Sequence, residues 1–414
     1  MRTSTSSAFD ASVDSLVKRQ AELADSQTRL TTGKRVMKAS DDPAAAARAE
    51  RALASMSRAD TSQRAVDASR SIMGQTENAM ADAGELLQQA RETLIAAGNA
   101  TYSNAERLGL SNKLKAIRDQ LFSVSNRSDG AGSYLFGGQG SAAPPFVDGT
   151  AGATLLFAGQ VVQVQFAGVG GQITTEQSTG LPLSTDGGAV WLKSRTGNGV
   201  FVTAAGVNAL SVPPAAPANA WIDSGNVTDP AAVTGADYTV GFVDVAGVLN
   251  YQVTGGLSPV GPLPFLPGKA IKVDGLSFTV NGKPVVGDEF TVKPSSATLS
   301  VFDTLDKAVA ELARPMTGAQ LQQSNSENLR NVDAVMGTLQ SARAMAGEVL
   351  SLIDNETDRL GRLKLSSQTE RSAAEDLDLV QAISDFQNRQ SGYDAALKSY
   401  AMVQRMSLFQ YISA

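Results

Sequence analysis

The stretch VDASRSIMGQTENAMADAGELLQQARETLIAA, from Val66 to Ala97, decides the reading of the fold. Val66, Met73, Met80, Leu87 and Leu94 stand at strict heptad intervals, and Ala83, Ala90 and Ala97 fill the alternate seam positions. This pattern predicts a long helix with an apolar stripe, and its small residues let a neighbouring helix approach closely. Upstream, Asp42 is placed to cap the first free N–H groups, and Pro43 suits the first helical position because its missing N–H has no partner there. The run Ala44–Ala47 favours helix. Downstream, Gly98 and Asn99 end the segment, and Leu110, Leu114, Ile117, Leu121 and Val124 form a further helical stripe.

Both ends of the chain carry seams of the same kind. Phe9, Val13, Leu16, Gln20, Leu23, Gln27 and Leu30 alternate at spacings of 4 and 3, up to a glycine stop at Gly33. The last helix repeats the pattern with Leu379, Ile383, Phe386, Gln390, Tyr393, Leu397 and Tyr400. Before it, Leu329, Val332, Met336, Leu339, Ala346, Leu350, Ile353 and Leu360 mark another long helix. The tail crowds Met402, Val403, Met406, Leu408, Phe409, Tyr411 and Ile412 onto more than one helical face, a liability for a free monomer that burial in an assembly removes.

Between the helical ends, residues from about 140 to 298 turn rich in Gly, Val, Pro and Thr. Val190–Ser194 and Val200–Thr203 read as strands around Asn198-Gly199, and Lys269–Val273 and Leu276–Val280 as a hairpin around Asp274-Gly275. Asn281-Gly282 reads as a second tight turn. The expected fold class is α+β: a long-helix bundle or coiled coil built from both chain ends, with an inserted, mainly antiparallel β domain. The expected domains are a terminal coiled coil of 1–40 with 376–414, a helical bundle of 41–139 with 299–375, and an outward-facing β domain of 140–298.

Composition limits the chemistry. The 414 residues carry 35 Lys and Arg against 41 Asp and Glu, a net charge of −6 that offers no footprint for nucleic acid. Cysteine and histidine are both absent, so disulfides, thiolate nucleophiles and Cys/His metal sites are excluded and the commonest general base near neutral pH is missing. Gly168-Val169-Gly170-Gly171 lacks the Lys-Ser/Thr and the helix start of a phosphate loop. Asp41-Asp42 and Asp288-Glu289 are acidic pairs, but the first caps a helix and the second adjoins a turn at Gly287. No cofactor, no catalytic residue and no metal ligand is expected. Neither an apolar run long enough to span a bilayer nor an h-region of a cleaved signal is found, so stable membrane insertion is not expected.

Three stretches carry a family resemblance. Leu30-Thr31-Thr32-Gly33-Lys34-Arg35-Val36, followed by Ala39-Ser40-Asp41-Asp42-Pro43, is similar to the N-terminal signature of the hook–filament junction family of bacterial flagella, relatives of flagellin. Gly132-Ser133-Tyr134-Leu135-Phe136-Gly137-Gly138 resembles a junction-protein motif that flagellin usually lacks. Ala382-Ile383-Ser384-Asp385 through Tyr393 and Leu397, and then Ser407–Ile412, resembles the family's C-terminus. A weaker likeness, Val280–Pro284 with Gly287–Phe290, is to a hairpin of hook-associated proteins.

The resemblance implies a secreted structural subunit of the flagellum, not an enzyme, exported unfolded by the flagellar type III apparatus. It implies a ring of about eleven copies, each contacting its own kind. The other implied partners are flagellin, another hook-associated protein on the hook side, and a cytoplasmic chaperone at the C-terminal helix. The terminal helices would line the channel, which makes Phe9, Val13, Leu16, Leu23, Leu30, Leu379, Ile383, Phe386, Tyr393, Leu397, Tyr400, Leu408 and Phe409 the expected assembly interface. Gly33, Lys34, Arg35, Ser40, Asp41, Asp42, Pro43, Tyr134, Leu135, Phe136, Gly137 and Gly138 are the family motif residues. The alternatives are a flagellin filament subunit, or a secreted adhesin whose Trp191 and Trp221 stack on sugars, although core packing is the simpler role for a tryptophan.

Overall fold

The computed structural model of the chain describes residues 5–99, 101–137, 143–147, 165–166, 172–174, 180–211, 215–217, 219–257 and 259–412. It divides into two compact units, residues 1–64 with 355–414 and residues 65–354. The helices are α1 (Thr5–Thr32), α2 (Pro43–Ala97), α3 (Asn104–Ser125), α4 (Gly187–Trp191), α5 (Val301–Ala313), α6 (Gly318–Glu375) and α7 (Leu379–Ile412). The strands begin with the short β1 (Phe146–Val147), β2 (Gln165–Phe166), β3 (Gln172–Thr174) and β4 (Gly180–Pro182). They continue as β5 (Phe201–Ala205), β6 (Ala220–Ile222), β7 (Asn226–Val227), β8 (Tyr238–Val245), β9 (Val248–Gly255), β10 (Val260–Pro264), β11 (Ala270–Val273), β12 (Leu276–Gly282) and β13 (Glu289–Pro294).

In the unit 65–354 the heptad stripe of α2 does what its spacing predicts. Met73, Met80, Leu87, Leu94 and the alternating Ala83, Ala90 and Ala97 are buried. From Ala79 onward this stripe packs into one helical core with Leu114, Ile117 and Leu121 of α3, Phe302 and Leu305 of α5, and Val332, Val335 and Leu339 of α6. Ion pairs run along the outside of α2 and α6, with Arg91 2.7 Å from Asp333 and Arg343 2.6 Å from Glu77. Ser103 caps α3 by a reciprocal pair: its hydroxyl accepts from the Glu106 N–H, while the Glu106 carboxylate accepts from the Ser103 N–H at 2.7 Å. Ser300 caps α5 in the same position.

The β region has a core of its own. An antiparallel sheet of order β10-β9-β8-β13-β5 and a second of order β11-β12-β6, with β7 also pairing β12, bury Phe201, Tyr238, Phe242, Phe278, Phe290 and Val292 between them. The Asp274-Gly275 hairpin forms as expected: Val273 pairs with Leu276, and both turn residues take positive φ, 41° and 77°. Two expectations are corrected. Val190–Ser194 is not a strand; Gly187–Trp191 is a helical turn capped by Asp186, which aims Trp191 into the helical core. Asn281-Gly282 is not a turn but the end of β12, where the two residues pair with Trp221 and Ala220. Gly282 sits there at φ 89°, and a Cβ on it would lie 2.3 Å from the Asn219 carbonyl, so glycine is required by the close approach of β6 and not by a reversal.

Candidate assembly interface

In the unit formed by 1–64 and 355–414, α1 and α7 pack against each other. Three contacts set their register. Lys34 and Asp376 form an isolated antiparallel bridge, Arg389 donates to the Glu22 carbonyl at 3.0 Å, and the Cβ position of Gly392 lies 2.9 Å from the Arg19 guanidinium. The helices are therefore antiparallel.

The hairpin leaves its seam half open. Val13, Leu16, Leu23, Leu30, Phe386, Tyr393 and Tyr400 are only partly buried. Leu379, Ile383 and Leu397 are 54%, 49% and 41% exposed, and Val17 and Val380 next to them are exposed as well. An isolated helix pair cannot enclose apolar side chains on all sides, so these residues leave an apolar surface open on the hairpin. The expected side chains of Phe9, Leu408 and Phe409 lie outside the described residues.

A compact buckle closes the base of the hairpin, and the first family motif builds it. Gly33 ends α1 at φ 68°, accepting from the Leu377 N–H at 3.0 Å. Arg35 donates its backbone N–H to the Glu375 carbonyl at 2.7 Å and its guanidinium to the Ala374 carbonyl at 2.9 Å, and it pairs with Asp42 at 3.2 Å. Lys34 reaches Glu375 at 2.9 Å. Asp42 caps α2 by accepting from the Ala45 N–H at 3.0 Å, with Pro43 at the first helical position. Asp41 accepts from the Met37 and Lys38 N–H groups, both at 3.1 Å. These backbone donors hold the Asp41 carboxyl below the usual carboxylate range, and the Ala45 N–H followed by Arg35 does the same for Asp42. Beneath lies a small apolar cluster of Val36, Ala45, Ala49 and Ala374. Ser40 is exposed in the turn.

The second motif belongs to the other unit and is a plug. Asp129 organises its entry by accepting from the Ala131 and Ser133 N–H groups, and Ser128 bridges Tyr134. Leu135 and Phe136 are fully buried. Phe136 meets Trp191 edge-on with ring centroids 5.4 Å apart, and Trp191 stacks on Phe302 at 5.9 Å. Gly137 closes a turn on the Tyr134 carbonyl at 3.1 Å; Gly138 lies outside the described residues. The burial of Trp191 removes it from any sugar-stacking role, while Trp221 is half-buried on β6. Sequence reasoning missed that Trp191 and Phe146 join this aromatic cluster. The Asp186 cap before a Gly-Gly-Ala run was the available signal for the turn that places Trp191.

Among the described residues there is no cluster of three or more Asp or Glu side chains that could hold a metal ion, and no helix long and apolar enough to cross a membrane. The chain combines a unit with its own helical and sheet cores and a unit whose helical hairpin, made from opposite ends of the chain, is under-enclosed. Residues 4–141 match the bacterial flagellin N-terminal helical region. The chain is 35% identical over 156 residues to flagellar hook-associated protein 3 of Salmonella typhimurium, covering 37% of this chain and 48% of that protein. It thus spans about half the length of the curated relative it matches. Among solved structures, hook-associated protein 3 of Legionella pneumophila superposes with a TM-score of 0.69 at 25% identity, over 77% of this chain and 97% of the other. The flagellar junction protein FlgL of the same organism gives 0.62 at 27%, over 72% and 95%. The likeness is thus to the flagellin N-terminal helical region over the first third of the chain, and to hook-associated protein 3 in sequence and fold.

Proposed function

We propose that the protein is a structural component of the extracellular flagellum, an adaptor at the hook–filament junction that seats flagellin on the hook-associated proteins. The observation that carries this reading is the half-open seam of α1 and α7, with Leu379, Ile383 and Leu397 left for neighbouring subunits. Burial of these side chains between copies supplies the driving force for assembly, and no bond-making step is needed. The subunit is not an enzyme. The terminal hairpin forms the inner, channel-lining layer, the long helices form the next, and the β region faces outward. Its partners are further copies of itself in a ring of about eleven, flagellin on one side and another hook-associated protein on the other. An export chaperone covers the C-terminal helix before secretion.

Likeness to hook-associated protein 3 rather than to flagellin alone favours the junction over the filament, and the Tyr134–Gly137 plug points the same way. The test is immunogold labelling of intact flagella. Label confined to one band between hook and filament is the expected result; label along the whole filament would make the protein a flagellin.

A further inference from the structure

Within residues 65–354, the helical core and the sheet core share no residue: one gathers Trp191, Phe302 and Leu339, the other Phe242, Phe278 and Phe290. Between them lies a cleft of about 400 Å³. Lys293 faces it from the sheet side, and Asp303, Glu327 and Arg330 face it from α5 and α6. Charged groups in such a cleft hold water and keep its walls from merging into one apolar core.

Among the described residues, two hydrogen-bonded connections join the bodies. The first is a neck of two chain segments, buried at Ser194 and open at Arg195 and Ser296–Thr298, where Ser194 and Leu299 exchange backbone hydrogen bonds of 3.0 and 2.9 Å and the Thr196 N–H donates to the Ser296 carbonyl at 2.9 Å. The second lies across the cleft: the buried N–H of Ile222, on β6, donates to the Gln323 side-chain oxygen at 2.8 Å. Gln323 lines the cleft and is itself only 6% exposed. Two separately cored bodies on a thin connection move relative to each other unless a large apolar interface prevents it. We propose that the sheet body swings on the 194–196/296–299 neck and that Gln323 is the latch that holds it in the closed state.

The inference is independent of where the protein sits in a flagellum, and the absence of cysteine makes its test clean. Spin labels at Lys272→Cys on the sheet body and Gln322→Cys on α6 report the distance between bodies; Lys272→Cys with Thr254→Cys reports the sheet body alone. Double electron–electron resonance is expected to show a wider distribution for the first pair than for the second. Gln323→Ala should shift the first distribution to longer distances and leave the second unchanged, and Gln323→Glu, which keeps the acceptor, should restore the original distances. A first pair as narrow as the second overturns the hinge. A first distribution unmoved by Gln323→Ala overturns the latch.

Discussion

Arg35 donates its guanidinium to the backbone carbonyl of Ala374, at 2.9 Å, and so ties the residues that follow the first helix to those that precede the last. The acceptor is main-chain, and the same side chain also pairs with the cap of α2 through Asp42. Arg35→Ala is expected to lower the unfolding free energy of the unit formed by 1–64 and 355–414 by about 1 kcal/mol, as suits a charged hydrogen bond that is partly open to solvent. Arg35→Lys should recover only part, because an ammonium cannot reach Ala374 and Asp42 with one rigid fork. Urea unfolding of the purified monomer, followed by hydrogen exchange at 33–46, checks this; equal stability of all three proteins would remove the buckle from the account.

Acid should open the same place. The carboxyls of Asp41 and Asp42 are held below their ordinary range by backbone N–H donors, with Arg35 adding to Asp42. A depressed carboxyl stabilises the fold above its unfolded pKa, and that contribution is lost as pH falls below about 4 and through the folded value. Amide protection at Met37, Lys38 and Ala45 should therefore decline in that window. In an Asp41→Asn, Asp42→Asn double variant, the acid-dependent part of the decline should vanish. Protection that is flat through the window in the parent protein would contradict the assignment.

The open seam predicts a separation of folding from assembly. Leu397→Asp places a carboxylate on a side chain that is 41% exposed in the single chain, where its hydration is largely kept. The same charge buried between subunits is costly. Circular dichroism should retain the helical signal while filaments disappear and flagellin accumulates in the medium. Leu408→Asp is expected to behave alike. Normal motility with either substitution counts against the seam.

Phe136→Ala should do the reverse and damage the body. The ring is fully buried against Trp191, and its removal should cost about 3–5 kcal/mol. Tryptophan fluorescence and thermal unfolding would register the loss directly. A variant as stable as the parent would mean that the plug collapses to fill its own cavity.

Excision of the β region has boundaries that packing defines. Phe146, Val190 and Trp191 lie in the helical core, so replacing 143–297 with a Gly/Ser linker removes part of that core. Replacing only 197–295 keeps the Thr196–Ser296 neck intact. The shorter excision should leave a folded, secreted protein that still supports filaments in a junction-null strain, while the longer one should be degraded. If the shorter excision is secreted but filaments are lost, the sheet body is part of the joint.

Much of this was legible in the sequence, for reasons that differ by element. The α2 stripe could be read because one strict repeat of Met, Leu and Ala is buried throughout and from Ala79 onward faces one core. On α6 the reading named Met336 and passed over Val335, which is fully buried. A straight helix drifts against a heptad, so the buried face moves by one residue over several turns. The Asp42-Pro43 cap was local and therefore visible. The Ala374 and Glu375 carbonyls that complete the buckle were not, since a main-chain acceptor leaves no mark on residue identity. Trp191 was misplaced because an aromatic and a valine in a Gly-rich stretch suit a strand as well as a capped helical turn. The apolar positions of α7 recur at heptad spacing, but periodicity says nothing about how much of each side chain the partner helix covers, and Leu379, Ile383 and Leu397 stay 54%, 49% and 41% exposed.

The composition of the terminal unit also sets an order in time. Its two halves, 1–64 and 355–414, are separated by the whole of the other unit, so neither can reach its partner until the intervening chain has been drawn together. Closing so long a loop is slow while that chain is extended and becomes easy once 65–354 has collapsed. The first helix to leave any channel N-terminus first is then among the last to dock, waiting on its counterpart from the other end. Pulse-labelled hydrogen exchange during refolding should find α3 and α5 protected well before α1 and α7, and simultaneous protection would contradict this order. In the proposed junction role, the subunit would thus finish its own folding with the apolar seam of its terminal hairpin.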